Sequence, residues 1–236
     1  MLIPPFFQKG GNIAFPFGTD QLGRDILSRI ILGARASLII AITVICLAGA
    51  FGTATGLVAG YLGRAVDTLL MRLTDAQMSV PLILLAIVVI GIFGASLSTV
   101  VVVIAITAWP RYARLIRSET LVLKEEDFVA LAKVAGAGHL RIILKHIFPN
   151  VLPSLIVLVT LDIPRVILFE SALSFLGLGI QPPIPSWGGM IAEGRAYLGL
   201  AWWLTALPGV ILVVTAMSAN LIGDWMRDRL DPSLQY

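Results

Sequence analysis

Residues 36–63 read ASLIIAITVICLAGAFGTATGLVAGYLG, a stretch without Asp, Glu, Lys or Arg. A helix rises about 1.5 Å per residue and the hydrocarbon core of a bilayer is about 30 Å thick, so the stretch suits one tilted membrane crossing. Two further charge-free windows cover 76–110 and 196–223. The last suits one crossing, but the middle one is too long for that. Gly91-Ile92-Phe93-Gly94-Ala95-Ser96 at its centre predicts a helical hairpin, with arms reaching back through Leu69 to Gln77 and forward through Arg111 to Arg117. A fourth apolar run, Val151 to Leu178, counts as a crossing although Asp162, Pro164, Arg165 and Glu170 interrupt it. The expected fold class is all-α, a polytopic membrane helix bundle of about five transmembrane helices.

Composition points the same way. The 236 residues are 58% hydrophobic and 13% charged, where soluble domains carry about 25% charge. One water-soluble core of this length cannot hide so much apolar surface, and the excess belongs against lipid. The single cysteine, Cys46, excludes an intramolecular disulfide framework and a multi-cysteine metal site, and is expected as a small buried hydrophobe. The net charge of +3 comes without aromatic-interleaved basic runs, so nucleic acid is discarded as a partner. The first 29 residues show no apolar core of a signal peptide, and the first span is expected to direct insertion.

Basic residues set the orientation. The segment 111–145 holds Arg111, Arg114, Arg117, Lys124, Lys133, Arg141 and Lys145, whereas 171–201 holds only Arg195; the first is expected to be cytoplasmic and the second external. The organisation that follows is an external N-terminal segment (1–29), a transmembrane domain (30–223) and a cytoplasmic C-terminal tail (224–236). Lys9, Arg24 and Arg29 run against this scheme. Trp109, Trp202, Trp203 and Trp225 are expected near span ends, where interfacial aromatics sit.

Gly52, Gly56 and Gly60, with Ala48 one turn earlier, share one face of the first span. Such a stripe lets a second backbone approach closely, from within the chain or from another subunit, and both readings stand.

The segment 118–150 leaves the membrane without becoming uniformly polar. Leu121, Leu123, Phe128, Leu131, Ala132 and Ala135 recur at roughly helical spacing; Gly136-Ala137-Gly138 breaks the helix; His139 to Ile147 forms a second short piece, and Pro149 is expected to stop it. The apolar surface of two such helices needs a cover, supplied either by a partner's groove or by anionic lipid.

The stretch Phe128 to Asn150 resembles the cytoplasmic "EAA" loop of type I ABC importer permeases, in which a coupling helix enters a cleft on the ATPase subunit. Ala132 and Gly136 match the family's small residue and glycine, and His146, Pro149 and Asn150 match its terminal motif. Ala130 stands where the motif opens with an acidic residue and Leu131 where it has alanine, so one charge contact to the ATPase is absent while the apolar docking remains. The resemblance implies a coupling role for Ala130, Leu131, Ala132, Gly136, Ala137, Arg141, His146 and Pro149.

Further blocks, in order, are similar to the dipeptide/oligopeptide/nickel permease family: Phe17 to Asp25, Gly33 to Leu38, Trp109 to Arg114, Leu173 to Gly179, Pro185 to Gly188 and Gly223 to Pro232. Members generally carry a further span before the first block, so a start internal to a longer protein or a lost helix is expected. The resemblance implies a permease subunit that forms, with a second homologous permease, a path for dipeptides, oligopeptides or nickel. Its other implied partners are two ATP-binding cassette ATPase subunits and an extracytoplasmic substrate-binding protein, which the external 177–196 segment would face. The implied location is the cell inner membrane and the implied mechanism alternating access.

Asp162 and Arg165 are three residues apart on a helix and can neutralise each other, with Glu170 farther along. These three either line a translocation path or form a structural ion pair that orients helices around Pro164. The Gly- and Pro-rich 177–196 segment reads as a folded loop with Trp187 exposed. No catalytic constellation is legible, so no enzyme activity, cofactor or metal is assigned, and ATP hydrolysis would belong to partner chains. His139 and His146 lie in the coupling loop, on the wrong side of the membrane to capture a metal. The competing functions are an ion-coupled secondary transporter, for which internal repeats are missing, and a non-transporting membrane scaffold.

Overall fold

The structure, a computed structural model, describes residues 2–230 apart from the side chain of Leu230; the remainder of the 224–236 tail, with Pro232 of the last block, lies outside the described residues. Among the described residues nine α-helices follow one another: α1 (Ile26–Leu62), α2 (Arg64–Met78), α3 (Leu82–Phe93), α4 (Leu97–Leu123), α5 (Asp127–Val134), α6 (His139–Ile142), α7 (Phe148–Phe175), α8 (Trp187–Gly194) and α9 (Trp203–Leu230). The described residues form no strand, only an isolated bridge between Thr19 and Asp25. Among the described residues four helices are long and apolar enough to cross a membrane: α1, α4, the run from α6 through α7, and α9. A fifth span results if the bent pair of α2 and α3 is counted as one.

Helix ends account for the differences from the charge-free windows. α1 starts ten residues before residue 36 because Asp25 caps it, its Oδ2 accepting from the Ser28 backbone N–H at 2.8 Å. The first hairpin arm does not run back without a break through Leu69–Gln77. Pro81 disfavours a helical Val80, so α2 stops at Met78 and α3 supplies only 12 residues. The turn between α3 and α4 falls at Gly94, whose φ of 81° a residue with a side chain adopts at a cost. Ser96 Oγ then accepts from the Thr99 N–H at 3.1 Å to start α4.

Pro149 does not stop the second loop helix, contrary to expectation. Residues Ile143–Ile147 widen into a π turn that passes directly into α7. A wider turn accommodates a ring that lacks an N–H and crowds the preceding turn. The Asn150 side-chain amide donates to the His146 carbonyl there at 2.6 Å. At the far end, α9 starts at Trp203 rather than at residue 196 and carries Asp224–Arg229 of the tail as helix.

The chain divides into two compact units. One gathers the chain up to Thr43 with Leu82–Ile104 and Ile163–Ser218; the other gathers Val44–Pro81, Ala105–Asp162 and the chain from Ala219. In the first, Ile26, Ile30, Met190, Ala201, Trp203 and Leu204 form an apolar core. Trp187 is not exposed, as its glycine-rich surroundings suggest, but 2% accessible, with its indole N–H donating to the Ile30 carbonyl at 3.0 Å. Ser186 caps α8 by accepting from the Gly189 N–H, and a Cβ on Gly188 would stand 2.4 Å from Ser171 Cα. These glycines permit close packing rather than a loose loop.

In the second unit the glycine face of α1 lies directly on α4. A Cβ on Gly52 would stand 2.4 Å from the Trp109 carbonyl oxygen, one on Gly56 2.6 Å from that of Ala113, and one on Gly60 2.7 Å from Thr120 Cβ. Backbones this close leave no room for a side chain. Trp109 packs edge-on against Phe51 in the interior of α4, away from its ends. Cys46 is exposed on α1, not buried; in a membrane helix the outward positions are as apolar as the core.

Candidate functional site

The segment between α4 and α7 is built on two faces. α5 ends at Val134, and Gly136 follows with φ 78°. The Ala137 N–H donates to the Ala132 carbonyl and the Gly136 N–H to that of Lys133, both at 3.0 Å, the paired bonds of a Schellman cap. Nothing lies within 4 Å of the place a Gly136 Cβ would take, so backbone conformation alone selects glycine there. α6 then runs back, and its continuation through the π turn enters α7.

The inner face is a single apolar cluster. Val129, Ala132, Ile142 and Ile147 are buried with Leu57 of α1, Ile116 of α4 and Val151 of α7, and Tyr61, Leu123, Ala137, Ile143, Phe148 and Leu155 pack around them. The outer face carries Phe128, Leu131 and Val134 at i, i+3, i+6 along α5, then Leu140 and Leu144 at i, i+4. Leu131 is 69%, Val134 87% and Leu140 70% accessible. Ala130, Gly136, Arg141 and Pro149 are also exposed and His146 is half-buried. Thus Ala132 and Ala137 face inward, while Ala130, Leu131, Gly136, Arg141 and Pro149 face outward.

Sequence reasoning missed Val134, the most exposed of these apolar side chains, although it lies three residues beyond Leu131. It also missed Tyr61, whose hydroxyl is hydrogen-bonded to His139 Nδ1 at 3.0 Å with the rings edge to face.

Three arginines of α4 that read as topology markers each take an acidic partner. Arg117 grips Asp67 of α2 with two bonds of 2.5 and 2.6 Å, Arg114 meets Asp75 of α2 at 2.6 Å, and Arg111 meets Asp162 of α7 at 2.5 Å. The proposed pairing of Asp162 with Arg165 is therefore corrected: the Asp162 carboxylate takes its cation from α4, and Arg165 lies over the Phe169 ring at 5.4 Å. A charge on α4 reaches a buried carboxylate across the helix interface, whereas a residue one turn along α7 points elsewhere. Glu170 is fully buried and accepts from the Ser174 hydroxyl at 2.7 Å.

In the other unit, two of the three cations that run against the orientation scheme, Arg24 and Arg29, are paired with carboxylates. Asp20 Oδ2 accepts from Arg24 Nε at 2.6 Å and Arg29 Nη1 at 2.8 Å, and Arg29 also reaches Glu193 of α8 at 2.9 Å. Burial pushes the Asp20 carboxyl up, but the Arg24 backbone N–H, the Arg24 guanidinium and the Leu22 N–H outweigh it and hold it below the usual 3.8.

Comparison with known proteins gives a consistent result. The family described as "Binding-protein-dependent transport system inner membrane component" matches residues 52–236. The chain is 43% identical to the dipeptide transport system permease protein of Haemophilus influenzae, over all of this chain and 80% of that protein. It is 42% identical to the di/tripeptide transport system permease protein of Pseudomonas aeruginosa, over all of this chain and 78% of that one. Among solved structures, the MetNI methionine ABC transporter in inward-facing conformations shares the fold, with a TM-score of 0.72 at 16% identity over 87% of this chain and 98% of that chain.

Proposed function

Because the chain belongs to the family of inner membrane components of binding-protein-dependent transport systems, we propose that it forms one half of a peptide-import path. It is a multi-pass inner-membrane permease subunit of an ATP-binding-cassette importer, and as a permease it is not itself catalytic. A second permease completes the path, two ATPase subunits hydrolyse ATP, and a soluble binding protein delivers the substrate. The names of the relatives, dipeptide and di/tripeptide permeases, favour short peptides over nickel.

The observation that carries the reading is the outer face of the 118–150 segment. Exposed Leu131, Val134, Leu140 and Leu144 stand on a loop whose inner face is fused to α1, α4 and α7. An apolar edge held this rigidly fits a partner's groove, since a groove removes it from water while the buried face transmits the partner's motion. On this reading the segment is cytoplasmic and the edge enters a cleft on the ATPase. The acidic residue that opens the family's motif is Ala130 here, so apolar contact carries the docking.

The test is reconstitution with the second permease, the ATPase subunits and the binding protein. ATP-dependent uptake of a labelled dipeptide that needs the binding protein is the expected result. Uptake driven by a proton or sodium gradient without ATPase subunits would contradict it, and ATP-driven uptake of Ni²⁺ with no competition from peptide would reassign the substrate.

A further inference from the structure

Tyr61 is the penultimate residue of α1, and the end of that helix is seated against α4, where Gly60 lies on Thr120. Its ring packs on the apolar cluster beneath α5 and α6. Its hydroxyl reaches out of that cluster to Nδ1 of His139, the first residue of α6. Around this contact the loop meets the helix ends through apolar surface, which is non-directional and lets one element slide over another. A hydrogen bond has a preferred distance and angle and fixes register.

We propose that Tyr61 is a positioning residue for energy coupling: through His139 it locks α6 to the end of α1, so that a force on the loop moves α1 together with α4 and α7. This rests on the coupling role proposed for the loop. α4 and α7 are joined to the loop by the chain itself, and α1 is not; without the Tyr61–His139 bond, α1 follows only through apolar contact. The bond is solvent-exposed and involves neither Leu131 nor Val134, so its loss leaves those docking side chains in place.

The experiment uses the reconstituted importer and measures dipeptide transported per ATP hydrolysed, with ATPase subunit retention as a second reading. Tyr61→Phe keeps the ring and removes the hydroxyl. It is expected to retain the ATPase subunits and basal ATP turnover while transport per ATP falls roughly three- to tenfold, the range set by one net hydrogen bond. His139→Leu should give the same loss, the double variant no more than either single one, and His139→Gln, which keeps a hydrogen-bonding group, a partial recovery. A wild-type transport ratio in Tyr61→Phe overturns the proposal, as do losses that multiply in the double variant. So does a parallel fall of subunit retention and both activities, which a merely structural contact would give. If the wild-type importer shows no ATP-driven uptake, the permease reading falls and this inference with it; a coupled wild type beside an unaffected Tyr61→Phe removes this inference alone.

Discussion

Arg111 Nη1 lies 2.5 Å from Asp162 Oδ1, joining α4 to α7 by a bridge in which the Asp162 side chain is 3% accessible and the Arg111 side chain 41% accessible. Removing the cation strands a buried carboxylate. Arg111→Ala is expected to cost about 1–3 kcal/mol, between the values for exposed and fully buried pairs. Arg165→Ala, which loses only an exposed contact with Phe169, should cost under about 1 kcal/mol. Thermal unfolding of both variants in one detergent checks the order.

The glycine face of α1 makes a second prediction. Gly56→Leu places atoms where the Ala113 carbonyl already stands, so α1 and α4 must separate, and the yield of folded protein should collapse. Gly91→Leu in α3 has nothing within 4 Å of its Cβ and should fold normally. Size-exclusion profiles of the two variants give the comparison.

Gly136→Val tests the loop without touching its packing. At φ 78° a β-branched residue is strained by about 1–2 kcal/mol or more, and the Schellman bonds to Ala132 and Lys133 should open. Hydrogen exchange should rise in residues 127–147 while the long helices keep their protection, and the ATPase subunits should dissociate.

Asp20 gives a pH dependence with a definite sign. Its folded-state carboxyl is held below 3.8, so its stabilising contribution is complete above that value and disappears as pH falls through the lower folded-state value. Asp20→Asn should therefore lower Tm by a constant amount between about pH 5 and 8, with the gap to wild type closing only below about pH 4. A gap that widened on acidification would contradict the arrangement around Arg24 and Arg29.

Local patterns were legible in the sequence and distant pairings were not. Charge-free windows found α1, α4 and α9, an apolar run with interrupting charges found α7, and the small residues between Gly91 and Ser96 found the turn at Gly94, because all these signals depend on near neighbours. The partner of Asp162 lies 51 residues away, and the nearer Arg165 looked sufficient. Cys46 was misjudged because apolar surroundings in the sequence do not distinguish a lipid-facing position from a core position. Trp187 was read as exposed because Gly188 and Gly189 signal both turns and close helix contacts. In the loop, periodicity found Leu131 and Ala132 but not their opposite directions, outward and inward, which depend on where α1 and α4 lie.

The central claim is that the exposed edge of α5 and α6 seats the ATPase. The direct measurement is the amount of ATPase subunit that co-purifies with the permease pair when Leu131→Asp and Val134→Asp are combined, with ATP-driven dipeptide uptake measured on the same preparation. The account predicts a permease that still folds and inserts but loses the ATPase subunits and uptake together. ATPase retention and uptake at wild-type levels would contradict it.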